Sequence, residues 1–145
     1  MADGSMRWWG WGEAAHAPTL GARELAFLAD TVGLAPAPRP PVALGRVRLA
    51  ASALPAPVLD RLRAIVGSDG VRDDHAERVA HAAGKGYPDL VRMRAGEPQG
   101  APDAVVRPNG HDQVRAVLEL CGQASLAVVP FGGGTSVVGG VAPLR

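Results

Sequence analysis

Four apolar residues, Leu25, Leu28, Ala29 and Val32, recur at i, i+3, i+4 and i+7, so the spacing predicts a helix over residues 21–33 with one apolar face. Gly33 is placed to end it in the left-handed conformation. The run APAPRPPVALGRVRL (35–49) opens with prolines, which block a helix; a Pro-rich linker at 35–41 leading into an extended run is expected. The pattern turns helical again over residues 55–66, where Val58, Leu59, Leu62, Ile65 and Val66 share a face and Gly67 can take the left-handed cap. A third helix is expected from Asp73 or Asp74 to about Ala83, stopped by Gly84. Its face of Ala76, Val79, Ala80 and Ala83 is shallow and suits close packing against a neighbour.

From residue 101 the pattern changes. Residues 104–107 (AVVR) read as a short buried strand ended by Pro108, with Asn109 as N-cap of a following helix and Asp112 as its capping-box partner. Val114, Val117, Leu118 and Cys121 give that helix its apolar face and Gly122 closes it. Residues 126–129 (LAVV) form the next strand. This strand-helix-strand unit has the length of a right-handed crossover between parallel strands. The fold class expected is α/β (α+β): a mostly helical region at 1–100, then the start of a second domain at 101–145.

Directly after the second strand stands PFGGGTSVVGG, residues 130–140, with five glycines in eleven residues. In open α/β sheets ligands sit beyond the carboxyl ends of strands, which is where this stretch must lie. Glycine removes Cβ and permits positive φ, so backbone N–H groups can converge on an anion. Thr135 and Ser136 add hydroxyls. The P-loop spacing fails, because Gly140 stands where its lysine belongs after Gly134. The dinucleotide fingerprint started at Gly132 meets Val137 at its third glycine position. By spacing alone the stretch is either a glycine-rich turn or a phosphate cradle.

Composition narrows the classes. Lys+Arg 15 against Asp+Glu 14, with no long basic run, carries no electrostatic footprint of a nucleic-acid binder. The single cysteine, Cys121, leans towards a reducing, cytoplasmic setting. No stretch approaches the roughly 20 apolar residues of a membrane span, and no secretory signal is visible. His75 and His81 lie six apart on different faces of the third helix, suit no shared metal and read as surface residues. His16 and His111 likewise lie outside the glycine stretch. The cluster Trp8, Trp9 and Trp11 reads as an arm packed on the body in preference to a membrane or substrate anchor. Arg92 and Arg94 are expected to be solvated.

The run PDAVVRPNGHDQVRAVLELCGQASLAVVPFGGGTSVVGG, residues 102–140, resembles the start of the FAD-binding domain of the FAD-linked oxidases, the vanillyl-alcohol oxidase and p-cresol methylhydroxylase (PCMH-type) superfamily. The carriers are P-D-x-V-V-x-P, a helix ending in L-x-x-C, and P-x-G-G-G-T-S. Upstream, RWWGWG (7–12), Leu54–Pro55 with Leu59 and Leu62, and YPDLVRMRAG (87–96) resemble the alkyldihydroxyacetonephosphate synthase branch. The resemblance implies that Gly132, Gly133, Gly134, Thr135 and Ser136 wrap the FAD diphosphate through their amides. Pro130 and Phe131 would shape its approach, and Gly140 belongs to the same pattern. With no histidine in the loop, non-covalent FAD is implied.

The resemblance further implies exchange of an acyl chain for a fatty alcohol on dihydroxyacetone phosphate, a lipid-like substrate, without net oxidation. A 2-hydroxy-acid (glycolate or D-lactate) oxidase or dehydrogenase is the alternative, and a non-catalytic interaction module or remnant is a third reading. In the family the adenine and isoalloxazine ends, the substrate and the cap domain are held further along. The chain is therefore expected to be the N-terminal part of a larger enzyme, to bind FAD weakly by itself, and to hold no catalytic residue of its own. Oligomeric state is not legible.

Overall fold

The structure is a computed structural model in which residues 6–16, 19–33 and 40–143 are described. The expected proline linker falls largely on 34–39, outside the described residues. The N-terminal arm folds back on itself: an isolated antiparallel bridge joins Met6 to Glu13, and Arg7 N–H donates to Gly12 O at 2.9 Å.

Helix α1 spans Ala22–Val32 and ends as its sequence demands, on Gly33 at φ 65°, whose N–H bonds Ala29 O. None of its residues is buried. Helix α2, Ala56–Val66, starts behind Pro55, whose carbonyl accepts from Val58 and Leu59. Gly67 closes it, with a correction to the expected cap. At φ 86° and ψ 156° it lies outside the left-handed helical region, in a basin that only glycine occupies cheaply, while still donating to Arg63 O at 2.8 Å.

A two-residue strand β1, Val71–Arg72, follows, then α3, His75–Ala80. Asp74 caps α3 as expected, its carboxylate accepting from Glu77 N at 3.2 Å and from Arg72 Nε at 2.9 Å. The Glu77 amide and, after it, the Arg72 guanidinium hold the Asp74 carboxyl below the usual carboxylate range. The helix is shorter than its pattern suggests: His81 is its C-cap, so Gly84 does not stop it. Val79 and Ala82 are buried, whereas Ala76 and Ala80 are exposed.

Helix α4, Tyr87–Ala95, escaped the periodicity reading. Its signals are nonetheless local: Pro88 in the first turn, Asp89 early, Arg92 and Arg94 late, and Gly96 in αL at φ 78°. Residues 42–48 hook around its end, with Val42 N donating to Arg94 O at 3.0 Å and Arg48 N to Gly96 O at 2.9 Å.

Strand β2, Val105–Val106, and helix α5, His111–Gln123, complete the order. Here the expected crossover is corrected. β2 pairs antiparallel with β1, Val71 opposite Val106 and Arg72 opposite Val105. Residues 126–129 form no strand and join no ladder among the described residues. The first strand and the helix of the expected unit form, whereas its second strand and the parallel pair do not among the described residues. The N-cap of α5 is Gly110, not Asn109; the helix reaches back through Gln113, whose Oε1 accepts from Asn109 N at 2.7 Å. Gly122 sits inside the last turn, and Ser125 at φ 53° makes the exit. The buried face is Val117, Leu120 and Cys121; Val114 and Leu118, which share the predicted stripe, are 40% and 52% exposed.

Two cores result. The first joins α2, α5 and β1 through Leu62, Val66, Val71, Val117, Leu120 and Cys121, with Leu126 at its margin. Gln113 Nε2 donates to Ile65 O across that seam at 3.1 Å. The second gathers Val47, Val79, Ala82, Met93 and Ala101, with Trp8 and Leu49 packed against it. An ion pair in which the single Arg107 nitrogen Nη2 donates to both Glu77 oxygens, at 2.6 and 2.7 Å, ties α3 to the end of β2.

Candidate functional site

The glycine stretch begins where the first core ends. Leu126 packs against that core and its N–H returns to Cys121 O at 2.9 Å, so residues 126–129 leave α5 in a defined direction. Val128 and Val129 are 45% and 38% exposed, and Pro130 is exposed at the rim.

Phe131 turns inward. Its ring lies against His81, centroids 4.5 Å apart and planes tilted by 51°, and on its other side it covers Gly134. A Cβ on Gly134 would stand 2.6 Å from the Phe131 ring, and its φ of 65° is the left-handed region, so both space and conformation demand glycine there. Gly134 is buried, while Gly132, Gly133 and Thr135 are exposed. Among the described residues no protein acceptor faces the N–H groups of residues 132–136. A glycine-rich bend whose backbone donors meet no protein acceptor can receive an anion. It fits a diphosphate, which offers acceptors only.

Ser136 anchors the far side. Its Oγ accepts from Gly140 N at 3.1 Å, which folds 136–140 into a closed turn and brings Gly140 to the loop. Its carbonyl accepts from Lys85 N at 2.6 Å. All of the residues singled out by sequence, from Phe131 to Ser136 with Gly140, thus form one local structure, with Pro130 at its edge.

Sequence reasoning missed the residues behind this loop. Between α3 and α4 runs Gly84-Lys85-Gly86, all three buried. A Cβ at Gly84 would overlap the Ser136 carbonyl oxygen, and one at Gly86 would stand 3.0 Å from Val137 O. Backbone therefore packs on backbone, and two glycines flanking a lysine are the signal that could have pointed there. Lys85 Nζ donates to Arg7 O at 2.7 Å, and Trp11 Nε1 donates to Lys85 O at 3.2 Å. Burial, and secondarily the charge of Arg7, pulls the Lys85 ammonium below the usual lysine range.

His81 is likewise more than a surface residue. It is half-buried, its Nδ1 lies 2.9 Å from Glu77 O and its ring buttresses Phe131, whereas His75 is exposed with Nε2 2.9 Å from Val47 O. His16 is exposed and pairs with Glu13. The tryptophan arm packs on the body: the Trp9 ring lies 5.1 Å from the Arg7 guanidinium and 4.9 Å from that of Arg94. Arg94 is therefore stacked, in contrast to the solvated state expected, and Arg92 pairs with Asp89. A groove lined by Trp9, Trp11, Tyr87, Leu90 and Arg94 lies beside the arm and includes no loop residue.

No cluster of three or more His, Cys, Asp or Glu able to hold a metal exists among the described residues. The Cys121 thiol is buried, which pushes its pKa up and makes it a poor nucleophile. No helix among the described residues is long and apolar enough to cross a membrane.

Comparison with known proteins meets this geometry at the same residues. A family model for an FAD binding domain matches residues 102–143. Alkyldihydroxyacetonephosphate synthase of Trypanosoma brucei brucei is 46% identical over 87 residues, 60% of this chain and 14% of that protein. Protein Rv2250A of Mycobacterium tuberculosis is 39% identical over 105 residues, 72% of this chain and 70% of that relative. A solved alkyldihydroxyacetonephosphate synthase superposes with a TM-score of 0.83 over 96% of this chain and 29% of its own, at 23% identity, a likeness of fold. The chain thus spans 14% of the length of the synthase it matches in sequence.

Proposed function

For a chain that belongs to the FAD-linked oxidase family, near its alkyldihydroxyacetonephosphate synthase branch, we propose that residues 130–140 hold the diphosphate of a non-covalently bound FAD. The flavin domain begins at about residue 101 in this reading, after a mostly helical region. The observation that carries it is the run of amides at 132–136, which meet no protein acceptor among the described residues, with Gly132, Gly133 and Thr135 exposed. Gly132 and Gly133 let a diphosphate approach the main chain. Gly134 and Phe131 hold the bend, and Thr135 and Ser136 supply hydroxyls. When bound, FAD supplies redox and covalent flavin chemistry; this chain's residues bind and orient its phosphates and keep side chains out of their way.

The enzyme so served is alkyldihydroxyacetonephosphate synthase-like, acting on a lipid-like substrate. The support is the 46% identity to a protein of that name and the synthase fold shared over 96% of the chain. A reducing, cytoplasmic setting accords with one buried, unpaired cysteine.

The test is flavin titration of the intact protein by fluorescence. Gly134→Ala should raise the FAD Kd by an order of magnitude or more, since it costs the strain of a positive φ, on the order of 1–2 kcal/mol, and displaces Phe131. An unchanged Kd would overturn the assignment. Acid precipitation should release all flavin to the supernatant; flavin retained on the pellet would exclude the non-covalent reading.

A further inference from the structure

We propose that Lys85 is a positioning residue for the flavin loop, and that docking of the arm at residues 7–12 and binding of FAD are linked through it. The inference rests on the loop being the diphosphate site. Lysine is almost never fully buried unless paired, yet Lys85 is 8% exposed and no carboxylate pairs with it among the described residues. Its polar atoms all go to main chain or indole. The N–H goes to Ser136 O of the loop at 2.6 Å, and the Nζ to Arg7 O of the arm at 2.7 Å. Its carbonyl accepts from Trp11 Nε1 at 3.2 Å. One residue therefore holds two segments that are distant in sequence.

Each neighbour of this joint is stiff. Gly84 and Gly86 leave no gap against Ser136 and Val137, so a shift of Lys85 moves the loop carbonyls directly. The arm is closed on itself, with Arg7 Nε donating to Trp11 O at 2.9 Å and Arg7 N to Gly12 O at 2.9 Å. It is also held to α4 by the Trp9 ring between the Arg7 and Arg94 guanidiniums. Undocking the arm removes both the Arg7 acceptor of the Lys85 ammonium and the Trp11 donor to its carbonyl, which loosens the residue whose N–H holds Ser136 O. Because such coupling is reciprocal, FAD that favours the ordered loop must favour the docked arm by the same factor.

The experiment uses the intact protein and reads two quantities: FAD affinity by flavin fluorescence, and arm docking by acrylamide quenching of tryptophan, all three of which lie in the arm. In the unaltered protein FAD should reduce quenching. Lys85→Met, which keeps the stem and loses the donor, should raise the FAD Kd roughly five-fold or more, within the usual range of allosteric coupling. It should also abolish the FAD-dependent protection. Lys85→Arg, which restores a donor, should recover part of both effects, a recovery that a general packing defect would not show. Removal of residues 1–12 leaves Lys85 itself intact and should weaken FAD by a similar factor, so misfolding of the Met variant does not leave the idea without a test. Should Gly134→Ala weaken FAD while Lys85→Met leaves Kd and quenching unchanged and the truncation leaves Kd unchanged, the linkage fails and the diphosphate site stands. Should Gly134→Ala have no effect, the site itself fails.

Discussion

Helices α1 and α2 are each 11 residues long, each carries an apolar stripe at helical spacing and each ends on a glycine of positive φ, yet only one of them is part of a core. α2 buries Leu62 and Val66 against α5, while α1 buries nothing and leaves Phe27 and Val32 each 66% exposed. Periodicity reports that a helix has a face to hide; it does not report what hides it. The partner of α2 is encoded some fifty residues away in the spacing of Val117, Leu120 and Cys121, and no described residue plays that part for α1.

Substitutions can break or sharpen the contrast. The largest effect is expected at Leu62→Ala, which removes a side chain 3% exposed and leaves a cavity. Urea denaturation should show a loss of about 2–5 kcal/mol. The caps come next. Gly67→Ala forces alanine into a basin only glycine tolerates and should cost about 1–3 kcal/mol. Gly33→Ala, in the left-handed region with open space around it, should cost less globally because α1 can fray without disturbing either core. A smaller effect belongs to Asp74. Its carboxyl is depressed in the folded state, so its contribution is present above the unfolded value near 3.8 and is lost as pH falls through the folded one. Asp74→Ala should cost about 1 kcal/mol at pH 7, and the difference from the parent protein should shrink in melts carried below pH 4. The smallest effect is Phe27→Ser, expected within about 0.5 kcal/mol of neutral; a loss as large as that of Leu62→Ala would mean that α1 is covered in solution.

The loop and its support repeat the lesson at the site. Residues 132–136 stood out in the sequence because they lie in a stretch, 130–140, with five glycines directly beyond an apolar run. Gly134 was legible as glycine, but not the Phe131 ring that makes it obligatory. Lys85 and His81 were not placed behind the loop: the histidine at a helix end read as a surface residue, and the glycines flanking the lysine gain their meaning only from the loop carbonyls they meet. The expected parallel crossover failed for a related reason. Apolar runs at 104–107 and 126–129 say that each wants burial, but not that Val105 and Val106 pair instead with Val71 and Arg72.

Local chemistry, then, was in the sequence: where α1 and α2 begin and stop, which faces are apolar, and where the backbone is stripped of side chains. These depend on neighbours within a few residues, whose sterics and hydrogen bonds travel with the chain. What only the tertiary structure decided is which apolar faces meet, which strands pair and which buried cation stands behind the glycine loop. Those outcomes depend on contacts between segments far apart in the chain, and many partners satisfy the same hydrophobic pattern equally well until packing selects one.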